Sequence, residues 1–493
     1  MKRAKPFRRR TLLDGFRRSR TSVERLEDRL LLSADPLVKV RAADAEQPLA
    51  VENLAYTKNA KPNVLQGMET LSSIATLIDL TRPVSEQSKK LNWEGSSASL
   101  LTLNSTLESL VLDLGDGDSR TALSQDIDGR LRLTREQGSD LYDLVFAKPS
   151  RVLGLRGGGG IDKVVLNSVD LGSTKLNVLA EEIELRKDGV LSGSADVELV
   201  ASSTFSGDLG LALPGTHTLE RKASIDIAGS INVQGDVLLT ADVLVGLEQD
   251  VNLVGAYTLK GKTESRVSVH DGASVTARSL SVSALTDSRW ALAVNDGVVG
   301  GRLVLNLKQD TRADIEAGVR LKLSPAVSAG SVASKGLVVQ AVDWLDTSLT
   351  LDMDDGSISG LSKGIGPDGG VLQGFELGWT QVNLARTTVA RLGGSESGDP
   401  LLTLSGPSDQ PAGQVHVVAA STDGRGDADG ENPGIFGTVK SNLVGLHINN
   451  VVHDVRASVS NAKLSATALN IYAINDATYK AKGKIVKNDV SGN

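Results

Sequence analysis

The chain has 493 residues with no cysteine, five histidines, 51 glycines and few aromatic residues: four Trp, five Tyr and six Phe. The length suits several domains or one long repetitive array, and the missing cysteine excludes a disulfide scaffold, thiolate metal sites and a cysteine nucleophile. The net charge of −7 is unevenly placed, and no apolar run reaches the roughly 18 residues of a membrane-spanning helix, so no transmembrane segment is expected.

Residues 1–30 carry eleven Lys/Arg against four Asp/Glu, a net of +7, which leaves about −14 on the rest. Such a basic tip on an acidic body reads as a separate segment. Nothing downstream continues the basic charge, so a nucleic-acid partner is not expected. Arg9-Arg10-Thr11-Leu12-Leu13 is similar to a twin-arginine export pattern, but Asp14, Arg17, Arg18 and Arg20 fall where an apolar stretch should follow. Thr21 and Glu24 have capping-box spacing, and Val23, Leu26 and Leu30 share a face of a short amphipathic helix ending near Asp35-Pro36.

Within that helix stands Leu26-Glu27-Asp28-Arg29-Leu30-Leu31-Leu32-Ser33-Ala34. It resembles the LEPR-XLL motif, which maps onto Leu26, Glu27, Arg29, Leu31, Leu32, Ser33 and Ala34; Asp28 replaces the family's proline. The resemblance covers about 35 residues and implies a bacterial, repeat-rich, surface or secreted adhesin-like protein, an address more than an activity. Segment 1–36 is therefore expected to be an export-type N-terminal segment, partly helical or disordered. Residues 37–96, punctuated by Pro48, Pro62 and Pro83 without a steady period, read as a linker or N-terminal cap.

From Ser97 onward, aliphatic residues alternate with polar or small ones in short runs such as Leu100–Asn104, Leu176–Ala180, Val197–Ala201, Val237–Ala241 and Leu303–Leu307. Bounded by Gly, Asp, Asn and Ser, these runs read as β-strands. Asp196-Val197-x-Leu199-x-Ala201 recurs as Asp236-Val237-x-Leu239-x-Ala241, and the pattern from Ala273 to Asp287 recurs from Ala462 to Asp476. Ala180 to Ala201 is about half the spacing of the first pair. A period near twenty residues, with so few aromatics, favours stacked coils over an antiparallel sandwich. The expectation is an all-β, right-handed parallel β-helix over residues 97–385, with about 14 coils spanning about 65 Å. Residues 386–493 are expected to continue it, loop-rich, with a further repeat at 455–485. The paired repeats also look like those of filamentous-haemagglutinin-like adhesins.

Two glycine-rich acidic segments are candidate calcium sites. Gly157-Gly158-Gly159-Gly160-Ile161-Asp162-Lys163-Val164-Val165 fits the calcium nonapeptide pattern, with Asp162 as the hard oxygen ligand. Such sites use consecutive copies, and only one full copy occurs, so a plain turn competes with it. Asp423-Gly-Arg-Gly-Asp427-Ala-Asp429-Gly-Glu431 clusters four carboxylates and contains Arg425-Gly426-Asp427. Asp423, Asp427 and Asp429 are the candidate ligands there, against a solvated loop. Asp352–Gly356 departs from an EF-hand loop, and neither Asp354-Asp355 nor His447 and His453 complete a hydrolase constellation. Calcium is thus the one cofactor considered and no enzymatic activity is expected. The function expected is that of an extracellular or cell-surface, adhesin-like structural rod whose partner is a surface ligand, either a polysaccharide or another cell-surface protein. A carbohydrate-active β-helix (lyase or hydrolase) and an intracellular repeat scaffold are the alternatives.

Overall fold

The computed structural model describes residues 76–79, 93–97, 100–103, 108–115, 117–137, 140–146, 150–210, 214–251, 256–294, 301–325, 335–352, 377–394, 400–423, 435–441, 444–476 and 479–485. The LEPR-XLL-like residues Leu26 to Ala34 lie outside this set, as do Asp427, Asp429 and Glu431. Among the described residues the chain is a parallel β-helix, in which each coil from Val152–Gly157 to Leu402–Ser405 contributes one strand to each of three sheets.

One complete coil runs through Val197–Gly207 in the first sheet, Gly215–Ile227 in the second and Ser230–Val233 in the third, before Val237–Val251 re-enters the first. Alternation decides which side chains point inward: Val237, Leu239, Ala241, Val243, Val245 and Leu247 are all buried along a single strand. Each such Val or Leu contributes roughly 1.5–3 kcal/mol by leaving water.

The repeats seen in sequence correspond to physical rungs. Ala180, Ala201, Ala241, Ala284, Ala341, Ala419 and Ala473 are successive partners in the first sheet and form one alanine ladder. The two Asp-Val-x-Leu-x-Ala copies are adjacent strands, with Val197 opposite Val237. Their aspartates tie the corner together: the Asp236 amide donates to Asp196 (2.9 Å), and Ser279 Oγ (2.7 Å) and Arg278 Nε (2.8 Å) donate to Asp236. Ala273–Asp287 and Ala462–Asp476 are the same corner, from the third sheet into the first, at two different coils.

The coil length differs from the expected period. Leu153, Leu176, Val197, Val237, Leu280, Leu337, Val415 and Leu469 are consecutive register partners, so coils grow from 23 and 21 residues to 40, 43, 57, 78 and 54. Among the described residues of 97–385 there are accordingly seven rungs of the first sheet, not fourteen. The cause is strand length. From Val197–Gly207 to Leu377–Gly393, strands of the first and second sheets reach 11 to 18 residues, while third-sheet strands stay at two to four. The extra length makes a flattened flange in which the two long sheets face each other. The buried aromatics Tyr257, Trp290 and Trp344 belong to these wide coils.

The flange interior is partly polar. Thr286 Oγ1 meets Thr311 Oγ1 at 2.7 Å, Gln309 donates to Ser288, and Ser265 Oγ donates to the Ala241 carbonyl at 2.9 Å. One coil later, Arg386 Nε donates to Asp343 Oδ2 at 2.9 Å.

The N-terminal end of the second sheet is not parallel. Ser119–Gln125, Leu131–Gln137 and Asp140–Phe146 form an antiparallel meander ahead of Asp162–Leu166, and Trp93–Ser97 pairs antiparallel with Leu100–Leu103. Thr76–Asp79, within the segment read as linker or cap, is already a parallel rung of the first sheet.

Candidate functional site

The narrow coil of Lys175–Ala180 and Glu182–Leu185 is followed by the first wide one, Val197–Gly207 and Gly215–Ile227. Pairing with the narrow coil stops at Ala201 and starts at Ser224. The wide coil's remaining residues pair only with the coil behind them among the described strands. This step leaves a cleft of about 590 Å³ between the Gly158–Ile161 loop, the Glu181-Glu182 corner and the flange edge at Ser203, Thr204, Glu220, Arg221 and Lys222, with Lys262 and Glu264 behind.

Its walls carry opposed charges. Lys222 Nζ binds Glu182 at 2.8 Å, and that hydrogen bond holds the ammonium above its ordinary range. Lys262 lies 3.9 Å from both Glu220 and Glu264. Arg221 points inward and closes the open edge of the flange, its guanidinium 5.2 Å from the centre of the Phe205 ring. Glu181 is the perturbed group: burial drives its carboxyl up to about 7, the Asp162 amide hydrogen bond (2.9 Å) opposes this, and the Asp162 charge adds to it. The cleft thus places a carboxyl able to give or take a proton near neutrality beside paired cations and acids, a surface suited to polar, hydroxyl-rich ligands.

Of the sequence candidates, Asp162 lies beneath this cleft and is wholly buried. Its Oδ1 accepts from the Ser119 hydroxyl and its Oδ2 from the Gly158 amide at 2.9 Å, while burial raises its carboxyl. The glycines it follows serve close packing: Gly160, at φ +123°, sits against the Gly117 backbone. The calcium candidate is therefore, in this structure, the anchor of a tight turn whose carboxylate oxygens take protein donors. Asp423 ends the strand Gln414–Asp423, opposite Leu345, and Ile435 resumes opposite Thr347. Residues 424–434, which hold the candidates Asp427 and Asp429, lie outside the described residues. Among the described residues no group of three or more His, Asp or Glu is placed to hold a metal ion.

Sequence reasoning missed Glu181, Arg221 and Lys222, because the cleft exists only where strands of unequal length stack. Among the described residues no helix is long and apolar enough to cross a membrane. Comparison with protein families, curated proteins and solved structures gives no match.

Proposed function

We propose that this chain is a non-enzymatic, adhesin-like structural protein of the bacterial surface or secreted fraction, in which the β-helix is the scaffold and its outward faces bind a surface ligand. The observation that supports this reading is rung-to-rung continuity. From Ser109–Gly115 to Ala468–Asp476 every first-sheet strand pairs in parallel with the next, and Lys163–Glu184 (2.8 Å), Lys175–Glu198 (3.4 Å) and Lys222–Glu182 (2.8 Å) bridge rungs on the outside. Such a ladder resists local opening because each rung's backbone groups are held by its neighbours, the property that a load-bearing or protease-exposed protein needs. The LEPR-XLL-like residues add the address. Protease treatment of intact cells, followed by fractionation, tests it: cleavage without lysis is the expected result, and full protection until lysis would replace this reading with the intracellular scaffold.

A carbohydrate-active role is the second reading, favoured by the near-neutral Glu181 carboxyl in the cleft. Incubation with a panel of polysaccharides decides it. Release of oligosaccharide that Glu181→Gln abolishes would establish catalysis; no release from any member leaves the adhesin-like reading in place.

A further inference from the structure

The outward face of the second sheet carries a pattern that the cleft does not explain. In the wide coils Ala256–Val269, Gly301–Ile315, Leu377–Gly393 and Val444–Ser460, register stacks Arg302, Trp379 and Leu446 in one outward column. Trp379 is 37% exposed, and the Arg302 guanidinium lies 4.9 Å from the centre of its ring. Four residues further along the strands the outward column reads Lys260, Asn306, Asn383 and Asn450. There Asn450 Nδ2 donates to Asn383 Oδ1 and Asn383 Nδ2 to Asn306 Oδ1, each at 2.7 Å, and Gln381 Nε2 also donates to Asn383 at 2.8 Å. The next outward column holds Lys262 and Lys308. Lys260 and Lys308 are exposed and have no carboxylate partner among the described residues. Acids around these columns are engaged: Glu220 and Glu264 each lie 3.9 Å from Lys262, and Asp310 binds Arg312 at 2.5 Å.

We propose that this face binds an extended, carboxylate-bearing polysaccharide, a proposal that rests on the adhesin-like reading above and names its ligand class. An exposed indole held by a cation offers a flat apolar surface to a pyranose face. The amide ladder repeats every rung, about 4.8 Å, close to the length of one sugar residue, so successive hydroxyls of a chain lying along the ladder meet successive amides. Lys260, Lys308 and Arg302 supply charge complementary to uronate groups; a neutral glycan would leave these cations uncompensated, and a duplex nucleic acid would not match a single flat file of amides.

The test uses the full chain and polygalacturonate oligomers, with cello-oligosaccharides of equal length as the neutral comparison, followed by titration calorimetry and by Trp fluorescence. Expected are saturable binding of the uronate oligomers that weakens with added salt, much weaker binding of the neutral ones, and a loss of about tenfold or more in affinity for Trp379→Ala. Trp379→Tyr restores most of it, and Lys260→Glu with Lys308→Glu abolishes the salt dependence. All three positions are on the solvent face, and unchanged far-ultraviolet circular dichroism confirms folding. Equal affinity for both oligomers, no binding of the uronate oligomers, or binding that none of these changes weakens would overturn the proposal. Protease accessibility on intact cells is read separately, so a surface-exposed protein that ignores uronate would overturn the ligand and leave the adhesin-like function standing.

Discussion

Arg386 and Asp343, 43 residues apart, meet across the flange interior with side chains 1% and 0% exposed, Nε to Oδ2 at 2.9 Å. The guanidinium also donates to the Asp343 and Thr422 carbonyls at 3.0 Å each, tying three strands together. A pair so enclosed is stable only because both charges are present. Removing one partner, by Asp343→Ala or Arg386→Ala, is expected to cost about 3–5 kcal/mol, whereas Asp343→Leu with Arg386→Met costs far less. Denaturant midpoints of the two single variants and the double variant check this; additive losses would refute the pairing.

Glu181 and His270 both make stability fall as pH rises. Glu181 is pushed from an ordinary 4.5 to about 7, so the folded protein holds a proton that the unfolded chain releases, and stability drops as pH rises from about 4.5 through 7. His270 is held above its ordinary 6.5 by its hydrogen bond to Asp226 (3.0 Å) and by Glu316 at 3.2 Å. Its contribution is complete below 6.5 and is lost as pH climbs through the raised value. For Asp226 burial acts upward, but the bond from His270 together with the charges of His270, Arg266 and Lys222 outweighs it, and the carboxyl sits below its ordinary range. Its own contribution therefore fades only in acid. Melting temperature against pH should fall from pH 5 to 8; Glu181→Gln flattens the lower part of that slope and His270→Asn the upper part.

Gly261 lies on the inward face of the second sheet, where a Cβ would strike the Trp290 indole and Leu307. Gly261→Ala is expected to destabilise by about 1–3 kcal/mol through overpacking, with a changed near-ultraviolet signal from Trp290. At Gly246, where a Cβ would stand 3.7 Å from Ser206 Oγ, the same change should stay within about 0.5 kcal/mol. Chemical denaturation of both variants provides the comparison.

Asp162→Ala strips the acceptor from the Ser119 hydroxyl and the Gly158 amide. A loss of about 1–3 kcal/mol follows from leaving buried donors unpaired. If the carboxylate is a turn anchor, this loss is the same in excess calcium and in chelator, as melting curves in both would report.

Much of the ladder is legible in sequence because stacking imposes like residues at like positions: Ala180, Ala201 and Ala241 and the paired aspartates at 196 and 236 are visible as spacings, whereas Ala341 and Ala419 are not. Nor is the period. The repeated motif covers only the corner from the third sheet into the first, whereas the added length lies at the far ends of strands such as Val237–Val251 and Lys335–Asp352, where no motif recurs. Asp162 stood out beside its glycines, yet its partner Ser119 is 43 residues away and is brought near only by coil stacking. Trp379 shares strand parity with Gln381 and Asn383, and that alternation alone could have placed it outside.

Third-sheet strands stay short while the long strands vary, so the rungs of the third sheet are the constant part of each coil. The joints between Val251 and Ala256, Val294 and Gly301, and Asp352 and Leu377 are all places where a first-sheet strand hands over to a second-sheet strand. Inserted peptides at these three joints should therefore be accepted without shifting the register of any rung, while an insertion of even one residue within Ser274–Ala277 or Arg320–Leu323 would put every inward side chain of that strand on the wrong face. For an engineer, the molecule has one editable seam and one fixed spine.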